Sequence, residues 1–110
     1  MNHKKTICLD FDGVLHAYSR GWVDGSVYDE PMPGAVAAAK KLSERHWLVV
    51  QTTRENLDEV RAWLERYGFP LMEVTNRKPP AVLYIDDRGL RFESWEQVLS
   101  DRTAKLALEE

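Results

Sequence analysis

Two acidic pairs stand out along this chain of 110 residues: Asp10-Phe11-Asp12, followed at once by Gly13, and Asp86-Asp87 towards the other end. Between them in sequence lie Thr52-Thr53-Arg54 and Lys78. Carboxylates gathered without partners repel one another, and some then hold protons at neutral pH. A divalent cation relieves that repulsion. An all-oxygen donor set suits Mg²⁺, which keeps several waters and binds through one or two carboxylates plus a phosphate. A hydroxyl and a lysine in the same place would hold the anion's remaining oxygens. Any one Asp at a strand end can be a solvated turn former or helix cap. What points to a site is the combination of two acidic pairs at two strand ends with a hydroxyl and a lysine between them. Thr52 and Thr53 both stay in view, because a register shift of one residue swaps which hydroxyl faces the site.

Three apolar runs position these groups. Residues 5–10, 47–52 and 81–86 read as buried strands, and the first and third end in acid. In an open parallel sheet, ligands bind beyond the carboxyl ends of the strands, which would bring the acidic pairs and the threonines to one rim. Pro33 suits the first position of a helix running through Gly34 to Leu42. Asn56 with Glu59 forms a capping box for a helix whose apolar face is Leu57, Val60, Leu64 and Tyr67, stopped by Gly68. Residues 71–74 read as a short edge strand. Ser94 with Gln97 caps a last helix with Trp95, Val98 and Leu99 apolar. Strand–helix alternation implies right-handed crossovers between parallel strands, with helices on both faces. The expected architecture is a three-layer α/β/α sandwich around a small, mainly parallel sheet.

Composition bounds the rest. At 110 residues, 44% hydrophobic and 30% charged, the chain suits one domain spanning 1–110 and neither disorder nor a bilayer span. The first residues lack the apolar stretch of a signal peptide, so a cytoplasmic protein is expected. Cys8, the single cysteine, sits between Ile7 and Leu9 and reads as a buried structural thiol. The net charge of −3 is spread along the chain and demands neither a nucleic-acid nor a membrane partner.

The segment Asp10-Phe11-Asp12-Gly13-Val14-Leu15 resembles the first motif, D-x-D-G-[TV]-L, of the haloacid dehalogenase (HAD) superfamily of phosphotransferases. The other motifs follow in that superfamily's order. Val49-Val50-Gln51-Thr52 is similar to the second, Lys78 to the third, and Ile85-Asp86-Asp87 to the fourth. The resemblance spans residue 6 to about residue 92. It implies a HAD-like, Rossmannoid fold and hydrolysis of phosphomonoesters through an aspartyl-phosphate. Asp10 would be the nucleophile and Asp12 the general acid and base. Thr52, or Thr53 in its place, and Lys78 would bind the phosphoryl group. Mg²⁺ would be the cofactor, with Asp10, Asp12, Asp86 and Asp87 as its ligands. Thr52-Thr53-Arg54-Glu55 with Ile85-Asp86-Asp87-Arg88 is also similar to the 3′-phosphatase domains of phage-type polynucleotide kinases, although the chain has no kinase P-loop.

Many HAD enzymes carry a cap domain after the first motif or after the third strand. Neither gap here holds the ~50 residues of even a small domain, so the resemblance implies a capless enzyme with a flap at about 14–32. An open site accepts large substrates or borrows cover from a second copy, so phosphorylated small molecules, nucleic-acid ends and a homo-oligomer all belong to the expectation. The flap's aromatics, including Tyr18, Trp22 and Tyr28, suit either base stacking or pairing across a hairpin. Dehalogenation fits poorly, because Asp12 has a role only in phosphoryl transfer. A receiver-type signalling module would place its acidic pair first and its acceptor Asp later, the reverse of the order here. A catalytically retired HAD fold that binds a phosphorylated partner is the non-enzyme alternative.

Overall fold

The computed structural model describes residues 4–109. Its centre is a four-stranded, all-parallel open sheet. The strands are β1 (Lys5–Asp10), β2 (His46–Gln51), β3 (Glu73–Thr75) and β4 (Leu83–Ile85), in spatial order β3-β2-β1-β4. The register pairs Ile7 with Leu48, Cys8 with Val49, Leu9 with Val50 and Asp10 with Gln51. Because side chains alternate along a strand, Ile7, Leu9, Leu48 and Val50 share one face and Cys8 and Val49 the other. All six are buried, which accounts for runs that are continuously apolar rather than alternating.

Helices α1 (Ala35–Ser43) and α2 (Leu57–Arg66) close the first of those faces. Ala39 from α1, and Val60, Trp63 and Leu64 from α2, join the strand residues and Phe11 in one core. The Asn56 cap forms as expected, its side chain accepting from Glu59 N at 3.2 Å. Gly68 ends the segment with φ +79°, the left-handed stop that suits glycine. The start of α1 departs from expectation. Gly34 is its N-cap, with φ +83°, so the chain is not yet helical at Pro33 and the first turn begins at Ala35.

Beyond β4 the chain forms α3 (Trp95–Ser100), capped by Ser94, and α4 (Arg102–Leu108). These two helices contact each other, and neither buries a residue. Trp95 and Leu99, expected on an apolar inner face, are exposed. The coarse architecture is thus α/β with an open parallel sheet. Among the described residues, no helix is long and apolar enough to cross a membrane.

Residues 14–32 form a flap rather than a regular hairpin. Its two legs are joined near the sheet by Ala17 N donating to Glu30 O at 2.9 Å and Met32 N donating to Leu15 O at 2.7 Å. Further out, Asp29 accepts from both the backbone N–H (2.9 Å) and the hydroxyl (2.6 Å) of Ser19. Those hydrogen bonds, the hydroxyl first, hold the Asp29 carboxyl down at about 2. A carboxylate whose folded pKa is depressed stabilises the fold above its unfolded value and loses that contribution as pH falls through the folded one. The flap is therefore expected to loosen between about pH 4 and pH 2, the window those two values set. Amide exchange at Ser19 across that range checks it, and Asp29→Asn should flatten the pH dependence. An exchange rate at Ser19 that is already fast and unchanged at pH 5 would contradict it.

Candidate active site

Each strand of the sheet runs in the same direction, so the carboxyl ends of β1, β2 and β4 lie side by side. Asp10 closes β1, Thr52 follows β2, and Asp86 follows β4. A cleft of about 690 Å³ opens at this rim, and Asp10, Thr52, Thr53, Lys78, Asp86 and Asp87 all line it. Asp10 and Asp87, 77 positions apart in sequence, line the same cleft. The parallel sheet puts them there.

Asp10 is half-buried and accepts a hydrogen bond from Phe11 N at 3.0 Å. Burial is the largest influence on its carboxyl and pushes it up to about 6; the Phe11 N–H opposes this, while Asp87, Asp12 and Asp86 add to it. Thr52 is buried, and its Oγ1 accepts from Arg54 N at 3.1 Å. That contact occupies a lone pair and leaves the hydroxyl proton as a donor into the cleft. Thr53 is exposed beside it. Lys78 carries its ammonium 4.8 Å from the centroid of the Tyr84 ring, an arrangement that restrains a flexible cation by its attraction to the aromatic face.

The second acidic pair divides its work. Asp86 Oδ1 accepts from Arg88 N at 2.9 Å and also from Gly89 N, which closes a turn around that oxygen. Asp87 lies against Gly13: a Cβ added there would stand 2.3 Å from Asp87 Oδ2. Gly13 also has φ +87°, so both the close approach and the backbone conformation call for glycine. This is how the chain end of the first motif meets the second acidic pair.

Asp12 departs from the expected arrangement. It does not line the cleft. Its Oδ1 contacts His16 Nδ1 at 2.8 Å and Arg54 Nη2 at 3.1 Å, and its Oδ2 accepts from Arg54 Nε at 3.1 Å. The chain leaves the strand at Phe11, so the simple alternation that would keep Asp10 and Asp12 on one face no longer applies. Arg54, only 7% exposed, also donates to the flap carbonyls of Gly25 and Ser26. Arg54 and His16 are the residues that sequence reasoning passed over as functional. The one available signal was position: Arg54 follows the second strand's hydroxyl by two residues, and His16 follows Asp12 by four.

The donor chemistry here is all oxygen, as a hard cation requires, and the Asp10 carboxyl, raised chiefly by burial, is raised further by Asp87, Asp12 and Asp86. Among the described residues, no three carboxylate, imidazole or thiol groups form a ready-made metal cage. Cys8 lies on the cleft floor, and burial pushes its thiol up, with Asp10 and Asp86 adding to that; it is a poor nucleophile. Comparison with protein-family models, with curated proteins and with solved structures found no match. The fold and the rim chemistry define a class, an open parallel α/β protein with an acidic, lysine-bearing cleft.

Proposed function

We propose that the protein is a Mg²⁺-dependent phosphomonoester hydrolase of the HAD type, working through an aspartyl-phosphate on Asp10, with a capless three-layer fold. The observation that carries this reading is the single cleft in which Asp10 meets a hydroxyl donor from Thr52, the Lys78 ammonium and the Asp86-Asp87 pair. Asp10 attacks phosphorus, and the bond to the leaving oxygen breaks. Asp12, once turned into the cleft from its seat on Arg54 and His16, gives that oxygen a proton, then takes one from the water that cleaves the acyl phosphate. Thr52 and Lys78 hold the equatorial oxygens, where charge shifts in the transition state. Asp10, Asp86 and Asp87 would hold Mg²⁺, which supplies the positive charge that lets an anionic nucleophile approach an anionic ester.

Hydrolysis of nitrophenyl phosphate is expected with Mg²⁺ and is expected to stop with excess EDTA, returning when Mg²⁺ is restored. Full activity after rigorous chelation would remove the cation and the roles of Asp86 and Asp87. Phosphate binding at this cleft without any hydrolysis would favour the retired, partner-binding module.

Nucleotide or polynucleotide phosphate ends are the substrate class that the flap suits best. Its aromatics divide into two groups. Tyr18 and Tyr28 stack on each other at 6.3 Å and surround His16, which is the internal pairing role. Trp22 is 68% exposed, its ring centroid 5.9 Å from the Arg54 guanidinium, with Gly25 packed so closely under the ring that a Cβ there would lie 3.1 Å away. An aromatic ring held in place yet open to solvent suits stacking on a base, which is worth about 1–3 kcal/mol. Trp22→Ala is expected to raise KM for a phosphorylated oligonucleotide end about ten-fold and to leave KM for nitrophenyl phosphate nearly unchanged. Equal KM values for the oligonucleotide in both forms would take nucleic-acid ends out of the reading.

A further inference from the structure

We propose that His16 is a positioning residue: it fixes the orientation of Asp12 and ties that orientation to the seating of the flap. The catalytic side of this rests on Asp12 being the proton donor of the reading above; the contact itself does not. His16 is fully buried, stacked on Phe11 at 5.3 Å and edge-on to Trp63 at 5.5 Å. A core position among aromatic rings could be filled by an apolar side chain. A buried imidazole costs free energy unless its nitrogens are paired. Both are. The backbone N–H of Asp29 donates to Nε2 at 3.0 Å, so Nε2 presents its lone pair. The ring proton therefore sits on Nδ1, which donates to Asp12 Oδ1 at 2.8 Å.

Asp12 thus receives only donors. His16 holds Oδ1 from one direction, and the Arg54 guanidinium grips both oxygens from another. Each of those two groups is held in turn by the flap, His16 by Asp29 and Arg54 by the carbonyls of Gly25 and Ser26. Any rotation of Asp12 towards the cleft must break contacts whose far ends are flap backbone. Flap position and Asp12 orientation are one hydrogen-bond network, and His16 is its buried junction.

Two substitutions separate the halves of that junction. In His16→Asn, the amide nitrogen falls near the place of Nδ1 and keeps a donor for Asp12 while the link to Asp29 is lost. In His16→Gln, the amide oxygen falls near the place of Nε2 and keeps the acceptor for Asp29 while the link to Asp12 is lost. On an alkyl phosphate, whose leaving oxygen needs a proton, His16→Gln should change kcat about ten-fold or more with KM little changed, and His16→Asn should stay within about three-fold of the wild type. In the first step on nitrophenyl phosphate, read as the initial burst of nitrophenolate, both should lie close to wild type. Equal changes in the two variants, or first-step changes that ignore the leaving group, would make His16 a space-filling core residue and overturn the proposal. Nitrogen NMR of the His16 ring in the unsubstituted protein, which needs neither turnover nor a stable variant, should show the proton on Nδ1; a proton on Nε2 overturns the proposal outright. A wild-type chain inert to both esters overturns the hydrolase reading and the catalytic half of this one, while the ring tautomer still decides the contact.

Discussion

Asp10→Asn is expected to abolish turnover and at the same time to stabilise the fold. The amide keeps the shape of the side chain but cannot attack phosphorus, so no phosphoenzyme forms. Stability moves the other way because Asp10 ionises at a cost. Its carboxyl is raised to about 6, chiefly by burial, so the folded state holds a proton that the unfolded chain has already lost. Stability in the absence of Mg²⁺ must then fall as pH rises from the unfolded value through about 6, and Asn removes that loss. Asp10 is only half-buried, so solvent screening limits the gain at pH 7 to on the order of 1 kcal/mol. Asp12→Asn should differ in both respects. On nitrophenyl phosphate, whose leaving group needs no proton, it should keep most of the first step, and a phosphoenzyme should accumulate because the water that releases it needs a base. It should also destabilise, because its amide N–H groups face the donors of Arg54 and His16, leaving about 1–3 kcal/mol of unsatisfied contact. Rates must accordingly be compared per folded molecule. If Asp10→Asn releases nitrophenolate in its first turnover as fast as Asp12→Asn does, Asp10 is not the nucleophile.

The elements carrying this chemistry were legible where local pattern and tertiary environment agree. Continuous apolar runs mark β1 and β2 because both of their faces bury Cys8, Val49 and their neighbours. β4 was expected over 81–86 and pairs as a strand only over Leu83–Ile85, with Leu83 and Tyr84 exposed. An apolar run records a tendency to be covered, and the covering element must come from elsewhere in the chain. Trp63 escaped the helical stripe read through Val60 and Leu64, although it is buried and its indole donates to Asp29 O at 2.9 Å. An aromatic with a polar edge can serve as core and as a flap anchor at once. The site was legible as a set of strand ends. The direction of Asp12 was not, because it depends on an arginine 42 residues away in sequence and on flap carbonyls that no local pattern marks.

That arginine carries the largest expected stability effect. Arg54 reaches Asp12 with a two-pronged grip, and its remaining N–H group bonds Gly25 and Ser26 in the flap. Removing one partner of such a buried pair costs more than the pair contributes, because the other charge and its carbonyl neighbours stay behind without donors. Arg54→Met fills similar space but supplies none of those hydrogen bonds. Asp12 keeps His16 and some solvent, its side chain being 21% exposed, which places the expected loss at about 2–4 kcal/mol rather than at the upper end for a fully buried pair. Arg54→Lys should fall between, since a single ammonium cannot grip both carboxylate oxygens and still reach the flap. Denaturant melts should therefore rank wild type above Lys and Lys above Met. The flap should also detach before the sheet unfolds, so that limited proteolysis of the Met variant cuts within residues 19–27 under conditions that leave the wild type whole. A Met variant that melts within about 0.5 kcal/mol of the wild type, with its flap still protected, would mean that Trp63, Glu59 and the paired legs seat the flap by themselves. Glu59 accepts from Val27 N at 3.0 Å, so such an anchor exists, but it grips flap backbone alone, whereas Arg54 links the flap to an acidic group of the candidate site from the β2 side.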